Sequence, residues 1–220
     1  MRHALGGTSI EREQIFGAVA AERRRIADLI DTLDEDALAT PSLCAGWDVK
    51  TVAAHLVSVF ADSFWQFQWA ALRHGGFSRA IDELARSRAR TSAADIAQTL
   101  RQRADHRLNP PVTGPLSGIA DVLVHSGDIR IPLDLPFHPD EEQAGWALDF
   151  LTGPRPLGFV PRGRLRGIAL HSNDIGRSWG TGAEIHGPAA LLMMAAAGRT
   201  DALAMLEGPG VDVLRKRLSV

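Results

Sequence analysis

The chain has 220 residues, a formal net charge of −2 and a sequence pI of about 6.4. This balance lacks the basic excess of proteins that bind nucleic acids or anionic membranes, so neither partner is expected. No apolar run approaches the roughly 20 residues of a transmembrane helix. The N-terminus lacks the apolar stretch of a signal peptide, which favours a cytoplasmic protein. The single cysteine, Cys44, excludes an intrachain disulfide.

The first part of the chain shows the apolar periodicity of amphipathic helices. Four segments carry it: residues 9–33, 49–72, 77–107 (as one interrupted or two short helices) and 115–130. Residues 34–46, which include proline and glycine, are expected to form a loop. In the first helix, the run Arg23, Arg24 and Arg25 is interpreted as part of a solvated charged face. Four helical units joined by short loops favour an antiparallel bundle.

The pattern changes beyond the prolines at 132 and 136. The predicted elements are a helix at 139–151, a linker rich in proline and glycine at 152–164, a strand pair at 165–171 and 177–185, a helix at 189–197, a short helix at 201–206 and a final strand or helix at 211–218. His171 and His186 flank the strand pair and are expected to face solvent rather than take part in catalysis. These elements predict a small C-terminal α/β unit.

Asp121 and His125 are the first candidates for chemistry. They are four residues apart on a predicted helix, so both side chains lie on one face and can reach one ion. A second pair with this spacing, Asp134 and His138, contains Pro136 and cannot belong to a continuous helix. On its own, the first pair is more commonly an ion pair or a satisfied core histidine than a metal site.

His55 changes that assessment, because it lies on the apolar face of a different predicted helix and a buried neutral histidine needs a partner. If the second and fourth helices of a bundle face each other, His55, Asp121 and His125 offer two imidazoles and one carboxylate. Three protein ligands with an open fourth position are typical of a catalytic zinc. Asp128, two turns after Asp121 on the same side, is expected to orient a ligand histidine. Cys44 is interpreted as a residue that packs in a loop.

Two stretches of the chain carry a resemblance to a known family. The stretch LCAGWDVKTVAAHL, from Leu43 to Leu56, resembles the signature of the mycothiol-dependent maleylpyruvate isomerase family, a member of the DinB/YfiT-like metal-binding superfamily. The stretch VHSGDIRIPLDLP, from Val124 to Pro136, is similar to a second segment of that family. Segments that begin at Asn173 and at His186 resemble its C-terminal domain. The resemblance implies an α+β protein: a DinB-like antiparallel four-helix bundle over residues 8–137 and a small C-terminal α/β domain over residues 138–220.

The resemblance also implies a mechanism. A divalent metal, usually zinc, would be held by His55, Asp121 and His125; the isomerase has glutamate at the acid position, one methylene longer than aspartate. The cosubstrates would be a low-molecular-weight thiol, mycothiol or a similar one, and a small-molecule electrophile. Zinc favours the thiolate, which attacks the electrophile. The family's C-terminal domain contributes an arginine to the pocket, and Arg199 is the candidate here, as a catalytic residue that binds a carboxylate.

Several alternatives remain open at this stage. The thiolate chemistry could serve cis–trans isomerisation or S-transfer, and the sequence does not separate the two. A non-catalytic metal- or ligand-binding bundle and a metal-dependent hydrolase are the other candidates. A fourth protein ligand would favour the non-catalytic module, and thiol-independent turnover would favour the hydrolase. A monomer and a homodimer are equally compatible with the sequence.

Overall fold

The architecture is that of a computed structural model, which describes residues 9–61, 77–110 and 113–219. The first region contains helices α1 (Ser9–Ile30), α2 (Glu35–Ala39), α3 (Val49–Ala61), α4 (Phe77–Arg88), α5 (Ala93–Gln102) and α6 (Leu116–Arg130), and helix α7 (Glu141–Leu151) follows it. The second contains strands β1 (Ile168–Ser172), β2 (Ser178–Gly180) and β3 (Ala183–Gly187), helix α8 (Ala189–Ala196), a 3-10 helix (Thr200–Met205) and helix α9 (Gly210–Leu218).

The predicted helices of the first region are present, with two differences. Helix α2 interrupts the predicted loop at 34–46; Asp34 caps it by accepting a hydrogen bond from the backbone N–H of Ala37. A helix of five residues is too short to show apolar periodicity, so the loop prediction was wrong there. Helix α3 is described to Ala61, and the remainder of the predicted helix at 49–72 lies outside the described residues.

Helix α6 lies at the centre of the helical region. It packs against α1 and α3 on its bundle side and against α7 elsewhere, while α3 also contacts α4 and α5. Every residue from Gly118 to Ala120 and from Val122 to Ile129 is buried. A helix that is covered on several sides exposes little surface to solvent. Its polar side chains therefore need hydrogen-bond partners inside the protein.

Helix α7 joins the two regions, since it packs against both α6 and α8. Gly127 of α6 lies directly against α8: a Cβ atom added at Gly127 would come within 2.7 Å of the sulfur of Met194. Only glycine allows this close approach without a shift of the methionine. The C-terminal region is therefore packed directly onto the helix that carries Asp121 and His125.

The sheet differs from the predicted strand pair. Its order is β2-β1-β3, with β2 antiparallel and β3 parallel to the central strand β1. The segment predicted as one strand at 177–185 is divided between β2 and β3, so that prediction was wrong. The break falls at Gly182, where φ is 131° and any side chain would collide with the carbonyl of Gly167. Residues 211–218, predicted as a strand or a helix, are helical.

Arg23 also departs from its predicted place on a solvated face. Its side chain is buried, and its Nη1 donates hydrogen bonds to the backbone carbonyls of Ala104 and His106. Burial lowers the pKa of Arg23 to about 10. The arginine thus fastens the end of α5 to α1, whereas Arg25 in the same run is exposed. Among the described residues, no helix combines the length and the apolar character needed to cross a membrane.

Candidate metal site in the helical bundle

A tight loop delivers the first candidate ligand. The backbone N–H of Trp47 donates to the carbonyl of Cys44, Ser42 donates its backbone N–H to the carbonyl of Trp47, and Gly46 takes a positive φ of 81°. Asp48 then accepts a 2.7 Å hydrogen bond from the N–H of Thr51 and caps the N-terminus of α3. Because this cap fixes the residue at which α3 begins, it also fixes the position of His55, which lies two turns further along and faces α6.

The structure brings His55, Asp121 and His125 together between α3 and α6. We call these three residues the bundle cluster. The Nε2 atoms of His55 and His125 lie 3.6 Å and 3.7 Å from Oδ1 of Asp121. Both distances are too long for hydrogen bonds. Donor atoms that share a tetrahedral zinc, at metal–ligand distances of 2.0–2.1 Å, are about 3.3 Å apart, so the observed spacing is close to that of a metal site. This is the arrangement that the sequence predicted; the ligand role itself stays a prediction.

The surroundings of the bundle cluster favour the protonation states that a metal requires. Burial lowers the pKa of His55, which keeps the imidazole neutral and able to donate a lone pair. Burial opposes ionisation of Asp121, but its contact with His55 and the charges of His125 and Arg23 outweigh that effect and lower its pKa. The side chain of Asp121 keeps 17% of its surface exposed, so a small ligand can approach the cluster from the carboxylate side.

Asp128 lies beside His125, and its role in orienting a metal ligand stays a prediction. Oδ2 of this fully buried carboxylate lies 2.9 Å from Nδ1 of His125. An ionised Asp128 accepts a hydrogen bond from the Nδ1–H of His125, which leaves the Nε2 lone pair of His125 directed at the cluster. The hydrogen bonds from Arg199 and His125 lower the pKa of Asp128 despite its burial. Nδ1 of His55 differs from Nδ1 of His125, because it is buried and forms no hydrogen bond with any described residue.

Arg199 reaches this site from the C-terminal region. Its Nε and Nη2 both donate to the carboxylate of Asp128, and its Nη1 donates to the carbonyl of Ala197. The side chain is 15% exposed. The guanidinium of Arg199 is thus engaged with the carboxylate that contacts His125. Its predicted contact with a substrate carboxylate stays a prediction. Its observed partner is Asp128.

Trp47 is a contributor that the sequence interpretation did not single out. Its ring centroid lies 5.1 Å from that of His55 and 6.3 Å from that of His125. Its indole N–H donates to Asp82 of α4, and Arg86 pairs with the same carboxylate. The tryptophan therefore covers both imidazoles and excludes water on that side. The sequence did contain a signal for this role: Trp47 directly precedes Asp48, the N-cap residue of α3, and lies within the stretch from Leu43 to Leu56 that resembles the family signature.

The thiol of Cys44 is not activated. Burial raises its pKa, and the nearby Arg199 only partly offsets this. The side chain packs against the core instead, in agreement with the loop-packing interpretation.

A cavity of about 440 Å³ lies outside the bundle cluster, between α1, the end of α6 and residues 136–140. No residue of the bundle cluster lines this cavity. Its buried Glu22 already accepts hydrogen bonds from Ser126 and Arg25. The candidate site is therefore identified by its converging donor atoms and not by the size of a cavity.

Comparisons with known proteins agree with the fold. Among solved structures, the chain is similar to a mycothiol-dependent maleylpyruvate isomerase, with 14% identity, a TM-score of 0.54, and 86% of this chain and 89% of that chain covered. A histidine-to-alanine mutant of a mycothiol-dependent maleylpyruvate isomerase gives 14% identity, a TM-score of 0.56, and coverages of 90% and 92%. These likenesses confirm the predicted α+β, DinB-like fold. No curated protein matches the sequence.

The sequence also matches a family defined by the mycothiol maleylpyruvate isomerase N-terminal domain. The match extends over residues 19–130, just over half of the chain. It includes the loop that begins at Leu43 and the whole bundle cluster. The chain therefore belongs to the mycothiol maleylpyruvate isomerase N-terminal domain family.

Proposed function

We propose that the protein is a metal- and thiol-dependent enzyme in which His55, Asp121 and His125 hold one divalent ion, zinc being the best fit. The observation that carries this proposal is the convergence of two imidazole nitrogens and one carboxylate oxygen on a single point. Imidazole and carboxylate donors together suit zinc better than magnesium or calcium, which prefer oxygen ligands alone. The cosubstrate would be mycothiol or a similar thiol, as the family name indicates.

The residues around the ion would each have a defined task. When bound, the metal would stabilise a thiolate at neutral pH and polarise an electrophile. Asp128 keeps His125 in the tautomer that presents Nε2, and Arg199 keeps Asp128 ionised. Trp47 shields the imidazoles from water, which strengthens electrostatic interactions at the site. Within the described residues the cluster offers three donors, which leaves room for a thiol as an exchangeable ligand.

Two reactions fit this arrangement. In isomerisation, the thiolate adds to a cis carbon–carbon double bond conjugated to a carbonyl, the resulting single bond rotates, and elimination of the same thiolate gives the trans product. In S-transfer, the thiolate displaces a leaving group or adds irreversibly to an electrophile. The family name favours isomerisation of maleylpyruvate as the first reaction to test. A non-catalytic bundle would need no exchangeable position, and a hydrolase would need no thiol.

The test combines metal analysis with a thiol-dependent assay. Protein purified without a histidine tag or chelator is incubated with maleylpyruvate, with and without mycothiol, and the trans isomer is separated by chromatography; a panel of alkylating electrophiles tests S-transfer. We expect turnover only with the thiol, loss of turnover in His55→Ala, and normal turnover in His138→Ala, which removes an exposed histidine outside the cluster. Formation of the trans isomer without thiol would refute the thiol dependence, and cleavage of the substrate by water without thiol would indicate a hydrolase instead. Absence of metal after zinc is added back would refute the site.

A further inference from the structure

A second set of metal-binding donors lies on the C-terminal sheet. His171 of β1, Glu184 of β3 and His186 of β3 offer two imidazoles and a carboxylate whose donor atoms all lie within 4.8 Å of one another. We call these residues the sheet cluster. The parallel register pairs His171 directly with His186, and Glu184 lies two residues before His186 on the same face of β3. The alternation of the strands therefore points all three side chains to one side.

The contacts within the sheet cluster leave one donor atom without a partner. Nδ1 of His171 lies 2.8 Å from Oγ of Ser178, whereas Nε2 of His171 is shielded from solvent and forms no hydrogen bond with any described residue. The nearest acidic oxygen, Oε1 of Glu184, is 3.9 Å away. A ring whose Nδ1 donates to a hydroxyl presents its Nε2 lone pair, which is the arrangement usual for metal-binding histidines. A buried lone pair without a donor is unfavourable, and a cation would satisfy it.

The other two donors lie close to this atom. Nε2 of His186 lies 3.2 Å from Oε2 of Glu184, so that carboxylate lies beside both imidazoles. The rings of His171 and His186 are stacked, with centroids 4.8 Å apart and planes 15° apart. Their Nε2 atoms must approach to about 3.3 Å to share a tetrahedral zinc. Side-chain rotations are enough for this adjustment, because all three side chains are partly exposed.

We propose that His171, Glu184 and His186 form a second metal site, for one divalent ion of the zinc, nickel or copper type, distinct from the site in the bundle. Two imidazoles select these ions over magnesium and calcium. Water would complete the coordination from the side of Glu184 and His186, whose side chains are exposed to solvent. Bound there, the ion would join β1 to β3 across the parallel pairing, and so stabilise the strand that leads into α8. This inference does not depend on the proposed enzymatic function.

The experiment counts zinc ions in four forms of the full-length protein. Wild type, His171→Ala/His186→Ala, His55→Ala/His125→Ala and the control His138→Ala are dialysed against free Zn²⁺ on the order of 10 µM, with excess Mg²⁺ to occupy nonspecific carboxylates. Protein-bound zinc is then measured by plasma emission. We expect about two ions in the wild type and in the control, and one in each double variant. Circular dichroism establishes that each variant is folded.

The two sites are judged by different variants. Equal zinc in the wild type and in His171→Ala/His186→Ala would overturn the second site, whatever happens in the bundle. Equal zinc in the wild type and in His55→Ala/His125→Ala would overturn the bundle site and leave the sheet site intact. If the sheet double variant does not fold, Glu184→Gln decides the matter, because it keeps the side-chain size and removes the negative donor: unchanged zinc content would overturn the proposal.

Discussion

The bundle cluster and the sheet cluster contain the same donors, two histidines and one carboxylate, on different scaffolds. In the bundle, Asp121 and His125 are one helical turn apart and His55 comes from a facing helix; in the sheet, Glu184 and His186 are two residues apart on one strand and His171 comes from its neighbour. The bundle donors are nearly buried, and one of them, His125, is hydrogen-bonded to an ionised carboxylate. The sheet donors are partly exposed, and one of them, His171, is hydrogen-bonded to a serine hydroxyl. Burial and the supporting hydrogen bonds, rather than the donor set, should therefore separate the two clusters in affinity.

Removal of one ligand from each cluster should give the largest effects. His125→Ala should weaken zinc binding in the bundle about 1,000-fold, or about 4 kcal/mol. His171→Ala should weaken binding at the sheet by about 100-fold or less, because water can replace an exposed ligand more easily. Competition with a chromophoric chelator measures both constants, each in a background that lacks the other cluster. A larger loss at the sheet than in the bundle would reverse the comparison.

Loss of the charge partners should be the next largest effect. Arg199→Ala leaves the buried carboxylate of Asp128 unpaired, and loss of one partner of a buried ion pair costs about 3–5 kcal/mol. The matched change beside the sheet, Arg177→Ala, breaks an exposed pair with Asp149 and should cost about 1 kcal/mol or less. Urea denaturation of the metal-free proteins measures both. If the two variants lose similar amounts of unfolding free energy, burial does not determine how much each ion pair contributes to stability.

The supporting hydrogen bonds should have a smaller effect on zinc affinity. Asp128→Asn removes the negative charge that orients His125, and we expect a loss of about 100-fold, with the pH profile of binding shifted as the tautomer preference weakens. Ser178→Ala removes a neutral partner of His171 and should cost about 10-fold. Isothermal titration with zinc gives both values. A Ser178→Ala protein that binds as tightly as the wild type would remove Ser178 from the sheet site.

The smallest effect concerns the pH dependence of stability. Because burial lowers the pKa of His55, the unfolded chain binds its proton first as the pH falls below the ordinary histidine value of about 6.5. Stability of the metal-free protein should therefore decrease with acidification from pH 7 to pH 5, by at most about 1.4 kcal/mol per pH unit from this residue. The lowered pKa of Asp128 adds a further loss at more acidic pH, below the ordinary aspartate value. In His55→Gln, denaturation curves should show a shallower slope between pH 7 and 5; an unchanged slope would exclude His55 as the cause.

The sequence predicted the bundle cluster because helix periodicity is a local signal. The spacing of Asp121 and His125 within one helix, and the apolar face that surrounds His55, need no knowledge of the tertiary structure. The sheet cluster was missed for the opposite reason. His171 and His186 are fifteen residues apart and become neighbours only because the chain turns at Gly182 and returns parallel to β1. No periodicity in the sequence indicates that register.

The burial of charged groups was also beyond the reach of the sequence. Arg23 was assigned to a solvated face because it stands in a run of arginines, yet its partners are two backbone carbonyls more than eighty residues away. Arg199 was placed near the site by the resemblance, but its pairing with Asp128 depends on how closely α8 packs on α6. Backbone acceptors and helix packing leave no mark in side-chain patterns, so these contacts could only come from the structure.

The contacts of Asp128 bear on whether the chain can be divided. This one residue accepts from His125 in its own helix, from Arg199 in the C-terminal region, and through its backbone carbonyl from the N–H of Leu43 in the loop before α3. A fragment that stopped at residue 137, the predicted boundary, would keep the three donors of the bundle cluster but expose the Gly127 face of α6 and strand a carboxylate without its countercharge. Grafting the bundle alone onto another protein should therefore give a poorly soluble module, and any redesign has to carry Arg199 with it.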